Sequence, residues 1–305
     1  MAKIGIFDSG YGGLTILDAI RKQLPEYDYL YLGDNARAPY GTHSFDVIYR
    51  YTLEAVNYLI SKNCALIILA CNTASAKALR TIQQRDLPLI NEKMRKCKNG
   101  KMVNVLGVIR PTVEAVPGIT KTGHVGILAT PATVSSESYV LELKKMGKCE
   151  NEKIGKSLVI SQQACPMWVP LIEAGEHKSP GAKYFVGKYL REILAKDPQI
   201  DTLVLGCTHY PLLQKEIGHW LTYHREIEES EFPEPVVSPN VEVISQGELV
   251  ANSLKDYLER HPEYTSQLSQ GASCIYLTTE NADRFSQSAS IFLSAPVAAE
   301  HIDLV

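Results

Sequence analysis

Apolar residues in the first 95 positions come in short runs separated by amphipathic stretches, a rhythm that predicts parallel strands covered by helices. The runs predict strands at Lys3 to Phe7, Tyr29 to Leu32, Ala65 to Ala70 and Pro88 to Ile90. Between the first two, Leu14, Leu17, Ile20 and Leu24 recur at helical spacing, and Pro25 marks the stop. Ser44 to Ser61 reads as a second helix and Thr73 to Arg85 as a third.

A second βα series is predicted to begin at Val103 to Val108 and to continue through His124 to Leu128, Ser157 to Ile160 and Thr202 to Leu205. It echoes the first. Ile4-Gly5-Ile6-Phe7-Asp8-Ser9 corresponds to Val125-Gly126-Ile127-Leu128-Ala129-Thr130, and the run ending at Cys71 to the run ending at Cys207. The echo is what an internal duplication would leave. The tail adds a strand near Val241, a helix from Gln246 to Arg260, a strand at Cys274 to Leu277 and a helix from Asn281 to Leu293. The expected organisation is a first α/β domain over 1–100, a second over 101–240, and a segment 241–305 that returns to the first.

The 305 residues suffice for two such domains, and 45% apolar with 21% charged residues is ordinary globular usage. A net charge of -3 offers no general attraction to nucleic acid or to an acidic membrane surface, so neither is expected as a partner. The N-terminus lacks the features of a secretory signal, and no run nears the roughly 18 apolar residues of a membrane span. Seven scattered cysteines without a Cys-x-x-Cys pair suit reduced thiols in the cytoplasm.

Two segments stand out by charge. Asn91 to Met102 carries five basic residues and one acidic, and Thr222 to Pro235 carries five glutamates and one arginine. Both read as solvated loops, and their opposite signs would also suit a lid or a subunit contact in a homodimer.

The chemistry concentrates where strands end. Cys71, in Ile67-Ile68-Leu69-Ala70-Cys71-Asn72-Thr73, and Cys207, in Leu203-Val204-Leu205-Gly206-Cys207-Thr208-His209, each close an apolar run and open a hydroxyl-bearing segment. Ligands of α/β sheets bind beyond the carboxyl ends of the strands, where helix N-termini favour thiolate over thiol and can cradle a carboxylate. A single such cysteine is as readily a packing residue. Two with polar flanks fit a reaction that removes a proton from one face of a carbon and returns one to the other.

Asp8-Ser9 followed by Gly10, Gly12 and Gly13 is a strand-end turn open to close ligand approach, though not a P-loop. There Asp8 would hold an ammonium or tune a thiol and Ser9 would donate to a carboxylate; helix capping by either is the bland reading. Pro39-Tyr40-Gly41-Thr42 is a loop by composition, and its tyrosine is either structural or ligand-binding. His209 stands two residues from Cys207, suited to act as its base or polarising partner. No third and fourth ligand accompanies that pair, so no metal is expected. Cys165 and Glu173 add a thiol and a carboxylate to the second series, Glu173 otherwise being a surface residue of a short helix.

Taken together, Asp8-Ser9-Gly10-Tyr11-Gly12-Gly13-Leu14, Pro39-Tyr40-Gly41, Ala70-Cys71-Asn72-Thr73-Ala74, Ala129-Thr130-Pro131-Ala132-Thr133 and Cys207-Thr208-His209-Tyr210-Pro211-Leu212-Leu213 resemble the glutamate racemases of the aspartate/glutamate racemase family. The resemblance implies a cofactor-independent isomerase that supplies D-glutamate for peptidoglycan. It also implies two pseudosymmetric α/β domains with mainly parallel sheets and an active-site cleft between them. Cys71 would take the α-proton from D-glutamate and Cys207 from L-glutamate, the other thiol returning a proton each time. Asp8, His209 and Glu173 match the family's helpers. Ser9, Pro39, Tyr40, Gly41, Asn72, Thr73, Thr130, Thr133 and Thr208 match substrate-binding positions, joined by Asp8 and His209.

The chain departs from the family pattern at Arg110, where an acidic residue is usual, at Ser245, where an aspartate is common, and in the length of its two charged loops. Three other readings share some of the residues. Aspartate racemase would use the same paired thiols. A cysteine hydrolase or acyltransferase would use Cys207 with His209 and leave Cys71 without a task. A two-lobed amino-acid-binding protein would use the carboxylate-binding turns alone.

Overall fold

The computed structural model describes residues 1–97, 102–149, 158–226, 240–293 and 295–304. They form two compact units, one of Met1–Val108 with Gly247–Val305 and the other of Ile109–Gln246. Each is built around a sheet of parallel strands.

In the first unit the strands are β1 (Lys3–Asp8), β2 (Tyr29–Gly33), β3 (Cys64–Leu69) and β4 (Asn104–Gly107). The second unit holds β5 (His124–Ala129), β6 (Val159–Ala164), β7 (Thr202–Gly206) and β8 (Glu242–Ile244), and the first resumes with β9 (Cys274–Thr278) and β10 (Ala299–His301). The first sheet runs β10-β9-β2-β1-β3-β4 and the second β6-β5-β7-β8. Strands β2, β3 and β7 are buried along their whole length, which is why they read as unbroken apolar runs and not as alternating ones. Strand β6 is an edge of its sheet and tolerates Ser161, Gln162 and Gln163.

Helix α1 (Gly13–Gln23) buries Leu14, Ile16, Leu17 and Ile20 and stops at Leu24, whose backbone leaves the helical region before Pro25. Those side chains share a core with Val250, Ala251, Leu254 and Leu258 of the helix Gly247–Arg260. Helix α2 (Phe45–Ser61) follows, again buried along one face at Ile48, Thr52, Ala55, Val56 and Leu59.

Three expectations are corrected by the topology. Pro88 to Ile90 is not a strand: it lies in helix α3 (Leu87–Cys97), the end of a helical stretch that begins at Asn72. A wide π-type turn at Ile82–Asp86 precedes Pro88 and accommodates a ring that has no N–H to donate. Strand β4, read as the start of the second series, extends the first sheet beside β3, pairing Leu66 with Asn104 and Leu69 with Gly107. Strand β8 stays in the second sheet beside β7, and only the helix after it returns to the first unit.

The charged segments are also partly helical. Helix α3 carries Asn91–Cys97, and the helix Gln214–Glu226 carries 222–226; residues 98–101 and 227–235 lie outside the described ones. The strand expected from Ser157 starts at Val159. Among the described residues no helix is long and apolar enough to cross a membrane.

Candidate functional site

Strands β2-β1-β3-β4 and β6-β5-β7-β8 follow one plan. Phe7 pairs with Leu69 in the first sheet and Leu128 with Leu205 in the second, so Cys71 and Cys207 stand at equivalent places, two residues beyond each partner. Ser9 and Thr130 are equivalent in the same way, following Asp8 and Ala129, which pair with Gly33 and Ala164. The echo heard in the sequence is thus a repeat of strand register.

On the first unit the chain turns from β3 into the helix Asn72–Lys77 with Cys71 as its N-cap. The Ala74 amide donates to Cys71 Sγ at 3.4 Å, and Ser9 Oγ lies 3.3 Å from the same sulfur. A thiol held among donors at a helix start is suited to exchanging a proton. Asn72 and Thr73 fill the first helical turn and are buried.

Asp8 ends β1 and is buried, its Oδ2 accepting the Gly10 amide at 2.8 Å. The capping reading of Asp8 and Ser9 does not hold: Gly12 occupies the N-cap of α1 without a side-chain bond, Asp8 closes its own turn and Ser9 faces the thiol. A Cβ on Gly13 would stand 2.5 Å from Asp8 Cβ and 3.0 Å from Ala70 Cβ, so glycine is what lets this turn lie against the Cys71 strand end. Tyr31 supports the turn from below, donating to Gly10 O at 2.9 Å. Burial, with Asp8 and Cys71 nearby, raises the Tyr31 phenol well above its ordinary value.

Pro39 follows a cis peptide bond, and Tyr40–Thr42 forms a single 3-10 turn that includes Gly41. Tyr40 is buried and donates to Asp34 Oδ2 at 2.5 Å. Burial, then the Asp34 charge, raises its phenol far above the usual range and keeps it a neutral donor. Asp34 also accepts from Arg37 Nε at 2.7 Å, while Arg37 Nη1 reaches Glu54 at 2.5 Å. In the sequence Asp34 and Arg37 carry no motif that marks them as functional. Their signal was positional: Asp34 follows β2 as Ser9 follows β1, and its amide bonds Asp8 O at 2.9 Å.

The second unit arranges different partners around its thiol. Cys207 Sγ lies 3.8 Å from His209 Nδ1, and His209 Nε2 lies 2.9 Å from Glu173 Oε1, at the end of the helix Trp168–Glu173. Burial alone would pull the imidazole down, but hydrogen bonds to Cys207 and Glu173 override it and raise His209 to about 10. Thiol, imidazole and carboxylate therefore form one chain, whose two outer members favour the protonated form of the central ring. Thr208 is buried between Cys207 and His209 in sequence.

Thr130 caps the short helix Pro131–Ser135, accepting the Thr133 amide at 3.3 Å and donating to Thr133 Oγ1 at 3.0 Å. Behind Cys207, a Cβ on Gly206 would meet Ala129 Cβ at 3.1 Å and Tyr139 Cε2 at 3.2 Å. Tyr139, unmarked by the sequence reading, accepts from Gln246 Nε2 at 2.9 Å. Cys165, equivalent by register to Asp34, is buried, which pushes its thiol well up. Its carbonyl accepts from Tyr210 at 3.2 Å, a packing position and not a reactive one. Among the described residues no group of three or more His, Cys, Asp or Glu side chains is placed to hold a metal ion.

Residues 14–222 match the family described as Asp/Glu/Hydantoin racemase. The chain is 39% identical over 307 residues to glutamate racemase of Ruegeria sp. (strain TM1040), covering 97% of this chain and 98% of that one. The glutamate racemase isoform RacE1 of Bacillus anthracis has a similar crystal structure, with a TM-score of 0.80 at 28% identity, covering 99% of this chain and 98% of that one. Glutamate racemase from Francisella tularensis subsp. tularensis SCHU S4, solved with D-glutamate, matches with a TM-score of 0.75 at 27% identity, covering 100% and 97%.

Fold and relatives define an enzyme of the isomerase class, a racemase built on two parallel sheets. The chain belongs to the Asp/Glu/hydantoin racemase family, and its near-full-length relatives are glutamate racemases.

Proposed function

We propose that this protein interconverts L- and D-glutamate by moving the α-proton between two thiols, without a cofactor. The observation that carries the reading is the register equivalence of Cys71 and Cys207, each a buried thiol with polar partners where a packing cysteine needs none. Cys71 as thiolate takes the α-proton of D-glutamate while the Cys207 thiol gives its proton to the opposite face of the carbanion. L-glutamate reacts with the roles exchanged, so each turnover inverts the carbon and leaves the two protonation states swapped.

The α-hydrogen of an amino acid is very weakly acidic, and a positioned base contributes only about 10² to 10⁴. The rest must come from donors fixed around the carboxylate as negative charge develops. Ser9, Tyr40, Gly41, Asn72, Thr73, Thr130, Thr133 and Thr208 are the residues proposed to bind substrate, with Pro39 shaping the Tyr40 turn. Asp8 assists Cys71, and His209 with Glu173 assists Cys207, the raised imidazole being a ready partner for a thiolate. Glutamate as substrate rests on the relatives, the Francisella protein having been solved with D-glutamate. Supply of D-glutamate to peptidoglycan in the cytoplasm follows from the same reading.

The test is to incubate the purified protein with each glutamate enantiomer in deuterated water with no addition. Deuterium should enter the α-position as optical activity is lost. Binding without exchange would make the chain an amino-acid-binding protein, and exchange of aspartate alone would make it an aspartate racemase.

A further inference from the structure

The corner after β9 lies far along the chain from both loops around Cys71, yet it is bonded to each. Strand β9 runs beside β2, pairing Thr278 with Gly33, and so delivers Thr278, Thr279 and Glu280 to the end of the sheet where Asp34 and Asp8 emerge. The Thr279 amide donates to Gly33 O at 3.1 Å. Its hydroxyl donates to Asp34 Oδ1 at 2.9 Å and accepts the Ala36 amide at 3.0 Å. Thr278 Oγ1 is 3.2 Å from Asn35 Oδ1. Glu280 accepts from the Tyr11 phenol, whose ring stacks on Phe285 and Phe292 with centroids 5.4 and 5.9 Å away.

These bonds divide the labour at one buried carboxylate. Asp34 Oδ2 takes Tyr40 and Arg37, while Oδ1 takes Thr279. A carboxylate is rigid, so holding one oxygen fixes the other, and with it the Tyr40 hydroxyl. We infer that Thr279 and Glu280 are positioning residues for the substrate-binding side of the first unit, Thr279 setting the Pro39-Tyr40-Gly41 turn through Asp34 and Glu280 setting the Asp8-Ser9 turn through Tyr11. The inference rests on the proposed reading of those two turns as substrate-binding. It gives the returning C-terminal segment a part in substrate recognition.

Thr279→Val keeps the shape and removes the hydroxyl, leaving the Ala36 amide and Asp34 Oδ1 each short of a partner; Thr279→Ser restores it. A net hydrogen bond of about 1 kcal/mol corresponds to roughly a fivefold rise in KM for D-glutamate. We expect that rise in Thr279→Val with kcat nearly kept, recovery in Thr279→Ser, and faster amide hydrogen exchange over residues 34–43 in the valine variant alone. A merely structural role would lower the melting temperature and the active fraction and leave KM untouched. An unchanged KM in Thr279→Val, or unchanged exchange over 34–43, overturns the inference. If the wild type itself fails to racemise glutamate, the proposed function falls, and exchange over 34–43 still decides the mechanical link.

Discussion

Cys71 and Cys207 are register equivalents, each two residues beyond the residue of its strand that pairs with the penultimate position of the neighbouring strand, β1 or β5. Their surroundings nevertheless differ. Cys71 has a hydroxyl and a backbone amide at its sulfur, whereas Cys207 has an imidazole backed by a carboxylate. Equal strand register therefore gives the two sulfurs the same placement, while their proton partners differ.

If both sulfurs exchange protons with one carbon, neither is dispensable. Cys71→Ala and Cys207→Ala should each lower racemisation by about 10³-fold or more, the range of a lost acid/base group. Each removes only a small buried side chain, so far-ultraviolet circular dichroism should remain that of the wild type. Near-normal turnover in either purified variant would exclude the two-thiol mechanism.

Gly13 tests the packing of the turn against the strand end. Gly13→Ala puts a methyl group 2.5 Å from Asp8 Cβ, a distance that requires the backbone to move. Overpacking of this kind costs about 1–3 kcal/mol. A lowered urea midpoint together with a loss of activity larger than the unfolded fraction explains is the expected result. An alanine variant with full activity would mean that the turn is free to shift.

Much of this is legible in the chain because buried parallel strands leave apolar runs: β2, β3 and β7 are buried throughout, and β1 and β5 are buried beyond their first residues, Lys3 and His124. Pro88-Leu89-Ile90 reads as a strand because so short an apolar run carries no period; of Leu87 to Ile90 only Leu87 is buried, and Leu89 points outward. Assignment of β4 and β8 failed for a different reason. An edge strand of three or four residues carries no mark of which sheet it will join, and pairing is decided by register with β3 and β7. The cysteine motifs announced themselves by their polar flanks. Asp34 and Thr279 did not, because their role lies in a bond between residues 245 positions apart.

Asp201 offers a stability test away from the thiols. Its carboxylate accepts from Thr120 Oγ1 at 2.6 Å, from the amides of Lys121 and Thr122 at 2.7 and 2.8 Å, and from Thr202 Oγ1 at 2.9 Å. Those bonds fasten the connection that leads into β5. Burial would raise its pKa, but the donors outweigh it and hold the carboxyl below its ordinary range. A depressed folded-state value contributes stability above the unfolded pKa, which is lost as pH falls through the folded one. Asp201→Ala should cost about 2–3 kcal/mol in urea unfolding at neutral pH, and less in acid. A variant as stable as wild type at pH 7 would show that the connection holds without it.

His209 gives the pH dependence its sign on the alkaline side. Its folded-state pKa, about 10, lies above the ordinary imidazole value of 6.5, so the folded protein keeps a proton that the unfolded chain releases. Such a group stabilises fully below the unfolded pKa, and its contribution falls as pH rises until it is lost on passing through the folded pKa. His209→Gln removes the titrating ring. The melting temperature of the wild type should therefore exceed that of His209→Gln most at pH 6, by less at pH 8, and by least at pH 10. Both proteins share the tyrosines and the thiols away from this site, so their alkaline titration cancels in the difference. A gap that stays constant across this range would mean that the ring is neutral in the folded protein.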